Sequence, residues 1–265
     1  MIRVFRYKLS YLLSSPVITV STAALLFLLN FSALVNSGVL LSGGAEFNAE
    51  TKYMLLMNNY ISVALFYGLL FSMILGANTL GPDAQSGNLN ILMSAYPSRV
   101  KYFMGTILIS VLCLTSVQLL MSGNMILLLK IYEIPFVWHD IQICTIQILL
   151  DSLVILSVTA VGSIFMKGLR SVIVGVVGYS FYNMYMFNTI PFINGALIFP
   201  VSQYKNILCH FFPIIRVMTP SYTEEATWSF YELHTILPSA ELYQVLYIVL
   251  VMAAGCILFQ KRDLK

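Results

Sequence analysis

Long apolar segments, separated by shorter polar ones, dominate the chain. There are six of them, and each is close to the roughly 20 residues that a helix needs to cross the hydrocarbon of a bilayer. Because backbone polar groups in hydrocarbon must be paired within the segment, we expect each one to be helical. The predicted spans are residues 16–41, 60–80, 103–129, 141–166, 171–187 and 242–259. The pattern predicts an all-α membrane protein, a single transmembrane domain over 1–265 with six transmembrane helices.

Two segments outside the spans also carry a pattern. In residues 1–15, the apolar Ile2, Phe5 and Leu9 recur at helical spacing among basic residues. This predicts a helix lying in the membrane interface, the alternative being a short basic anchor that only sets topology. Segment 188–241 holds five prolines and two apolar pieces that are too short to cross. We expect short extracellular helices there, or a re-entrant hairpin, before the last span.

Composition narrows the class of function. Of the 265 residues, 59% are hydrophobic and only 9% are charged, whereas about 25% are charged in a typical soluble domain. The spans therefore use up nearly the whole chain and leave no room for a soluble catalytic domain. The sequence has no Gly-x-x-x-x-Gly-Lys-Ser/Thr phosphate loop, and its three histidines are far apart and lack cysteine partners. We expect neither an enzyme nor a metal site.

The basic residues predict the orientation of the spans. With both termini in the cytoplasm, ten of the 14 lysines and arginines fall on the cytoplasmic side. The outer side holds four, namely Lys52, Lys130, Lys205 and Arg216. An excess of positive charge in short cytoplasmic loops is the rule for membrane proteins. The charge distribution thus agrees with an even number of spans and with both termini inside.

The segment 81–102, between the second and third spans, is the most distinctive cytoplasmic loop. Asp83 and Gly87 open it, and a short apolar helical pattern follows until Pro97. Glycine and proline at its ends predict a short amphipathic helix parallel to the membrane. Its apolar face is suited to a groove on a partner protein. The alternative is a plain connecting loop that only sets topology.

The order of residues in this loop resembles the ABC-2 type permeases, the membrane subunits of many bacterial ABC exporters. Their pattern is an acidic residue, a glycine before a leucine-rich helix, and a Pro-x-Arg step into the third span. The matching residues are Asp83, Gly87, Leu89, Leu92, Ser94, Pro97, Ser98 and Arg99. The chain departs from the pattern in having aspartate where glutamate is commoner, and Asn88 where threonine is commoner. The six-span layout, the basic N-terminus and the long outer segment are similar too.

The resemblance implies a coupling helix that sits in a cleft of a separate ATP-binding subunit. The residues it assigns to this coupling are Asp83, Gly87, Leu89, Leu92, Pro97 and Arg99. It also implies that ATP and Mg²⁺ bind to that subunit and not to this chain, and that a second permease chain, identical or related, completes the transporter. The expected location is the bacterial cytoplasmic membrane, with no nucleic-acid partner. The implied cargo is hydrophobic or amphipathic, with antimicrobial peptides and drugs as candidates.

Asp151 is the one acidic residue deep within an apolar segment. A charge at the bilayer centre costs at least about 2.5 kcal/mol, so we expect this side chain to face the bundle and to have a partner, or to be protonated. One interpretation places it on the cargo path or at a gating contact. The other, which we favour, is a hydrogen bond between helices, to Gln118 or Asn124 of the third span.

Aromatic and methionine side chains provide the remaining candidates for a cargo path. Tyr179, Tyr182 and Met186 share one face of the fifth predicted span, and Tyr67 lies on the second. Such side chains make adaptable apolar surfaces, although ordinary packing explains them equally well. A self-sufficient secondary transporter is the alternative function. It would need several polar sites at mid-membrane, for which the sequence offers mainly Asp151.

Overall fold

A computed structural model describes residues 49–85, 98–166 and 240–261, together with isolated positions in 6–31 and 170–176. Four helices account for nearly all of the three continuous ranges, which contain no strand. We number them in chain order as α1 Ala49–Gln85, α2 Arg99–Ile131, α3 Trp138–Phe165 and α4 Ala240–Lys261. The helical class expected from the apolar pattern is therefore confirmed over the described part of the chain.

Three of these helices are long and apolar enough to cross a membrane: α2, α3 and residues Gln244–Lys261 of α4. They coincide with the third, fourth and sixth predicted spans. The second predicted span lies inside α1, whose apolar part Tyr67–Leu80 is shorter. Most of the first and fifth predicted spans and most of the helix predicted over 1–15 lie outside the described residues, as does all of 188–239. The six-span layout stays a prediction.

The turn between α2 and α3 makes these two helices neighbours. The N–H of Glu133 donates to the carbonyl of Lys130 at 3.2 Å, and the N–H of Ile134 donates to Leu129 at 2.9 Å. Glu133 has a φ of 53°, in the left-handed region. These are the two bonds of a Schellman motif, which satisfies the last carbonyls of α2. Only six residues, 132–137, separate the helices, so α3 runs back antiparallel to α2.

Contacts at the two ends of the bundle establish the directions of the helices. Tyr53 near the start of α1 donates to Asp140 near the start of α3 at 3.1 Å, and Thr79 and Ser163 are 3.3 Å apart near their ends. These two helices are therefore parallel. Arg99 at the start of α2 reaches Gln260 at the end of α4, so α4 is parallel to α1 and α3.

The helix directions define two ends of the bundle. We call the end with Gln85, Arg99, Phe165 and Lys261 the loop end, because segment 86–97 joins α1 to α2 there. The opposite end, with the 132–137 turn, is the turn end.

Small residues bring α1 and α3 into close contact. A Cβ placed on Gly76 would lie only 1.9 Å from Thr159 Oγ1, and one on Gly68 would lie 2.9 Å from Ser152 Oγ. Gly255 has the same role on α4, where a Cβ would lie 2.6 Å from Val161 Cγ2 on α3. Without water to drive helices together, close packing at small residues is a main source of their association in membranes.

The loop between α1 and α2 is shorter than the sequence pattern predicts. We expected it over 81–102, with Asp83 and Gly87 in its polar opening. Instead α1 continues to Gln85 and α2 already begins at Arg99. The side chains of Leu80 and Asp83 are buried at the loop end. We attribute the extension to this burial, which favours the helix past a proline whose interior position costs about 3 kcal/mol.

Candidate functional site

A buried polar cluster lies at the middle of the bundle, around Asp151. This residue is 13 positions from Trp138 and 14 from Phe165, which is about 20 Å from either end of α3 at 1.5 Å per residue. Its side chain is fully buried, at 0% exposure. The carboxylate oxygen Oδ1 accepts hydrogen bonds from Gln244 Nε2 at 2.6 Å and from Gln147 Nε2 at 3.3 Å. Asp151 therefore ties α3 to α4.

The amides of the cluster also contact each other. Gln147 Nε2 lies 3.3 Å from Gln244 Oε1, so the three side chains form a closed triangle. A carboxylate in hydrocarbon is costly, and the amide N–H donors of Gln147 and Gln244 offset part of this cost. The arrangement leaves Asp151 inside a helix contact rather than on an open path.

The partners of Asp151 differ from those we expected. The sequence pointed to Gln118 or Asn124, on α2, whereas the contacts shown are to Gln147 and Gln244. Asn124 donates instead to Asn30 Oδ1, at 3.2 Å. The expectation of a hydrogen bond between helices holds, but the helix is a different one. Adjacent spans in sequence are the natural guess, and Gln244 is 93 positions from Asp151.

Two further polar groups occupy the same level on the other side of α3. Gln118 Nε2 and Ser152 Oγ are buried and have no hydrogen-bond partner among the described residues. Gly68 of α1 lies against both: a Cβ there would be 2.9 Å from Ser152 Oγ and 3.9 Å from Gln118 Oε1. An unsatisfied buried polar group costs about 1–3 kcal/mol. The middle of the bundle is thus more polar than its surroundings.

A cluster of three hydroxyls lies closer to the turn end. Tyr60 Oη, Ser122 Oγ and Thr145 Oγ1 come from α1, α2 and α3. The distance from Ser122 Oγ to each of the other two oxygens is 2.8 Å, and Tyr60 Oη is 3.3 Å from Thr145 Oγ1. Hydroxyls both donate and accept, so the three satisfy one another. They hold the three helices in register.

The chemistry open to these clusters is that of contact and recognition. They hold amides, hydroxyls and one carboxylate, and within the described ranges no three His, Cys, Asp or Glu side chains are grouped as metal ligands.

The residues predicted for a cargo path are only partly described. Tyr67 is half-buried and packs at the edge of the main hydrophobic core. Tyr179, Tyr182 and Met186 lie outside the described residues. Gly175, a few positions before them, is described. A Cβ on it would be 2.6 Å from both Met73 Cγ and Thr159 Cγ2. The start of the fifth predicted span therefore packs closely against α1 and α3.

A second polar and aromatic cluster closes the loop end, and we call it the loop-end junction. Its members are Asp83, Arg99, Tyr102, Phe103, Phe259 and Gln260. The hydroxyl of Tyr102 donates to Asp83 Oδ2, which joins α2 to α1. Arg99 Nη1 donates to the carbonyl of Gln260 at 2.9 Å, which joins α2 to α4. The carbonyls of a last helical turn lack helical partners and attract cations.

Aromatic rings complete the junction. Phe259 lies between Tyr102 and Phe103, with ring centroids 6.4 and 5.8 Å apart. All three side chains are at most 1% exposed. Aromatic pairs at these distances contribute beyond the area they bury. The end of α4 is therefore packed on the start of α2 by apolar as well as polar contacts.

The residues predicted to couple to an ATP-binding subunit divide into two groups. Asp83 and Arg99 are described, and the contacts shown for each are made within the chain. Gly87, Leu89, Leu92 and Pro97 lie outside the described residues. The sequence pattern missed Tyr102, Phe259 and Gln260. No local signal reveals them, because Arg99 and Gln260 are 161 positions apart.

No protein-family model matches the chain, and no curated protein is similar enough to count as a match. The resemblance to ABC-2 permeases therefore rests on the residues of segment 81–102 and on the span layout.

Proposed function

We propose that the chain is the permease subunit of an ATP-driven ABC exporter. The observation that carries the proposal is the fixing of both flanks of segment 86–97 to the bundle. Asp83 before it bonds to Tyr102, and Arg99 after it bonds to Gln260. A loop that only connected two helices would not need such attachment. A loop that receives force from a partner needs rigid ends in order to transmit it.

The charges at the two ends support a cytoplasmic location for the loop. The loop end carries Arg99, Lys101 and Lys261, while the turn end carries Lys52 and Lys130 together with the acidic Glu133 and Asp140. Under the positive-inside rule this distribution supports a cytoplasmic location for the loop end. In our proposal α1 is the second of six spans. Its apolar part is short, but α2 and α3 pack against it and cover its more polar positions.

The partners follow from what the chain does and does not contain. ATP and Mg²⁺ belong to a separate ATP-binding subunit, since the sequence has no phosphate loop. A second permease chain, identical or related, completes the complex. The membrane is the bacterial cytoplasmic membrane.

The cargo that we propose is hydrophobic or amphipathic, such as an antimicrobial peptide or a drug. Tyr67 with Tyr179, Tyr182 and Met186 would supply an adaptable apolar wall. Asp151 would join this path only when α4 separates from α3 and exposes the carboxylate.

The proposal is tested by purifying the tagged chain from its native cells in mild detergent and identifying what comes with it by mass spectrometry. We expect an ATP-binding subunit in a fixed ratio. The double variant Leu89→Asp/Leu92→Asp should lose that subunit, because charges on the apolar face prevent docking. The control Leu89→Ile/Leu92→Ile should keep it. A complex that survives the aspartates, with the spans still inserted, contradicts the placement of the coupling helix.

A secondary transporter is the second candidate, and the polar middle of the bundle favours it. Asp151, Gln118 and Ser152 place more polar groups at mid-height than the sequence led us to expect. Carriers bind substrate and coupling ions at this depth. Transport by the purified chain alone in liposomes, abolished by Asp151→Asn, would support this candidate over the ABC permease.

A further inference from the structure

α4 packs against the rest of the bundle with Tyr247 and Ile248, which contact the buried cluster that includes Val154 and Ile155 of α3. Only 17% of its membrane-crossing segment Gln244–Lys261 is buried, against 61% for α3. Two hydrogen bonds join α4 to other helices at different levels of the bundle: Gln244 bonds to Asp151, and Gln260 bonds to Arg99. Sixteen positions separate the two glutamines, which is about 24 Å along a helix. Between them, Gly255 packs against Val161 and Phe103.

α4 is therefore a rigid helix that is attached near both of its ends. Its C-terminal end belongs to the loop-end junction, and Gln244 near its N-terminal end belongs to the cluster around Asp151. A movement of the junction relative to α3 therefore displaces α4 and changes the distance between Gln244 and Asp151. The bond is short, at 2.6 Å, and it involves a carboxylate, so it is sensitive to small displacements.

We propose that Arg99 and Tyr102 are positioning residues that make α4 follow the start of α2. The inference rests on the proposed function, since the force on segment 86–97 comes from the ATP-binding subunit. Arg99 holds the last carbonyls of α4, and the ring of Tyr102 stacks on Phe259 while its hydroxyl holds Asp83 of α1. α4 therefore moves with the start of α2, and Gln244 transmits the movement to Asp151.

The role assigned to Arg99 differs from that of a contact with the partner. A contact residue would fail by releasing the ATP-binding subunit. A positioning residue fails with the subunit still bound, because only the link to α4 is lost. This difference can be measured.

The experiment uses the purified complex of permease and ATP-binding subunit in nanodiscs, with the native cysteines replaced. A single reporter cysteine is placed on α4 as Lys261→Cys or on α2 as Lys101→Cys, both exposed positions. The rate of modification by a membrane-impermeant maleimide is measured with and without Mg-ATP. In the otherwise unchanged chain we expect ATP to alter both rates by about fivefold or more, the usual lower range for coupling between sites.

Arg99→Gln should abolish the ATP response at position 261 and leave the response at position 101, with the subunit still bound. Lys101→Gln, which removes a charge two residues away, is the matched control and should keep the response at 261. Arg99→Lys should restore part of it. Tyr102→Ala should resemble Arg99→Gln, while Tyr102→Phe keeps the ring and most of the response.

Two results would overturn the proposal. An unchanged response at 261 in Arg99→Gln would show that α4 does not depend on this residue. A response lost at both reporters, together with release of the subunit, would make Arg99 a partner contact. Because Arg99 is only partly buried, its variants test the proposal even if Tyr102→Ala does not fold. Failure of the proposed function is seen separately, as the absence of an ATP-binding subunit from the purification.

Discussion

At the residue scale, Gln244 and Asp151 show how a membrane interior handles a carboxylate. Two amide side chains donate to it, and the shorter of the two contacts crosses from α4 to α3. Hydrogen bonds to charged groups contribute more than neutral ones, about 1.5–3 kcal/mol. The attachment of α4 at mid-height therefore depends heavily on one side chain.

Gln244→Leu should lower the free energy of unfolding by about 1.5–3 kcal/mol, because the carboxylate loses its shorter hydrogen bond. Thermal unfolding in detergent measures the change. Gln142→Leu, an exposed glutamine on α3, is the control and should stay within about 0.5 kcal/mol. Adding Asp151→Asn to Gln244→Leu should recover part of the loss, since a neutral amide is less costly to bury. Equal stability of Gln244→Leu and the parent chain would contradict this account.

At the element scale, the contact between α1 and α3 depends on small side chains at regular positions. Gly68 faces Ser152 and Gly76 faces Thr159, two turns further along each helix. The same contact continues with Thr79 and Ser163. Small residues at this spacing let helix backbones approach, so dispersion contacts and hydroxyl bonds form along the whole interface.

Gly76→Ala should destabilise the fold by about 1–3 kcal/mol, as overpacking does in a tight interior. The added methyl group would overlap Thr159 Oγ1 and approach the backbone of α3, so the two helices must separate. Gly123→Ala is the matched control, because a Cβ there meets nothing within 4 Å. The control should be neutral or slightly stabilising, given the preference of helices for alanine by about 1 kcal/mol. Melting curves in which both variants behave alike would refute the close contact.

At the scale of the whole molecule, the described helices share one arrangement: α1, α3 and α4 run one way and α2 runs back. The arrangement follows from contacts at both ends, such as Tyr53 with Asp140 and Arg99 with Gln260. It requires the loop between α1 and α2 to emerge at the same end as the C-terminal end of α4. This geometry is independent of the charge rule, which concerns only the side of the membrane that each end faces.

Single cysteines at the two ends should label from opposite sides of the membrane. Lys101→Cys and Lys261→Cys should react with an impermeant maleimide only after the cytoplasmic face is opened. Lys130→Cys and Glu133→Cys should react in intact cells. All four positions are exposed. Labelling of positions 101 and 261 from opposite sides would contradict the helix directions. If positions 101 and 261 instead react in intact cells and positions 130 and 133 do not, only the predicted orientation in the membrane is contradicted.

Much of the fold in the described ranges was predictable because its signals are local. Lengths of apolar segments predicted the positions of α2, α3 and α4 to within a few residues. Helix ends were predicted less well. The apolar pattern ended the second predicted span at residue 80, but α1 continues past Pro82 to Gln85, with Asp83 buried beside Tyr102. A proline is a signal that can be read from the local sequence, whereas the contact between Asp83 and Tyr102 joins two different helices and cannot.

The sequence by itself determined that this chain is helical and apolar, and where most of its described helices lie. It also determined the order of residues in segment 81–102, on which the proposed function rests. Only the tertiary structure decided which side chains meet. The contacts of Asp151 with Gln244 and of Arg99 with Gln260 join positions 93 and 161 apart. Hydrophobic periodicity shows that a helix has a buried face but not which helix covers it, because that depends on packing among all the spans.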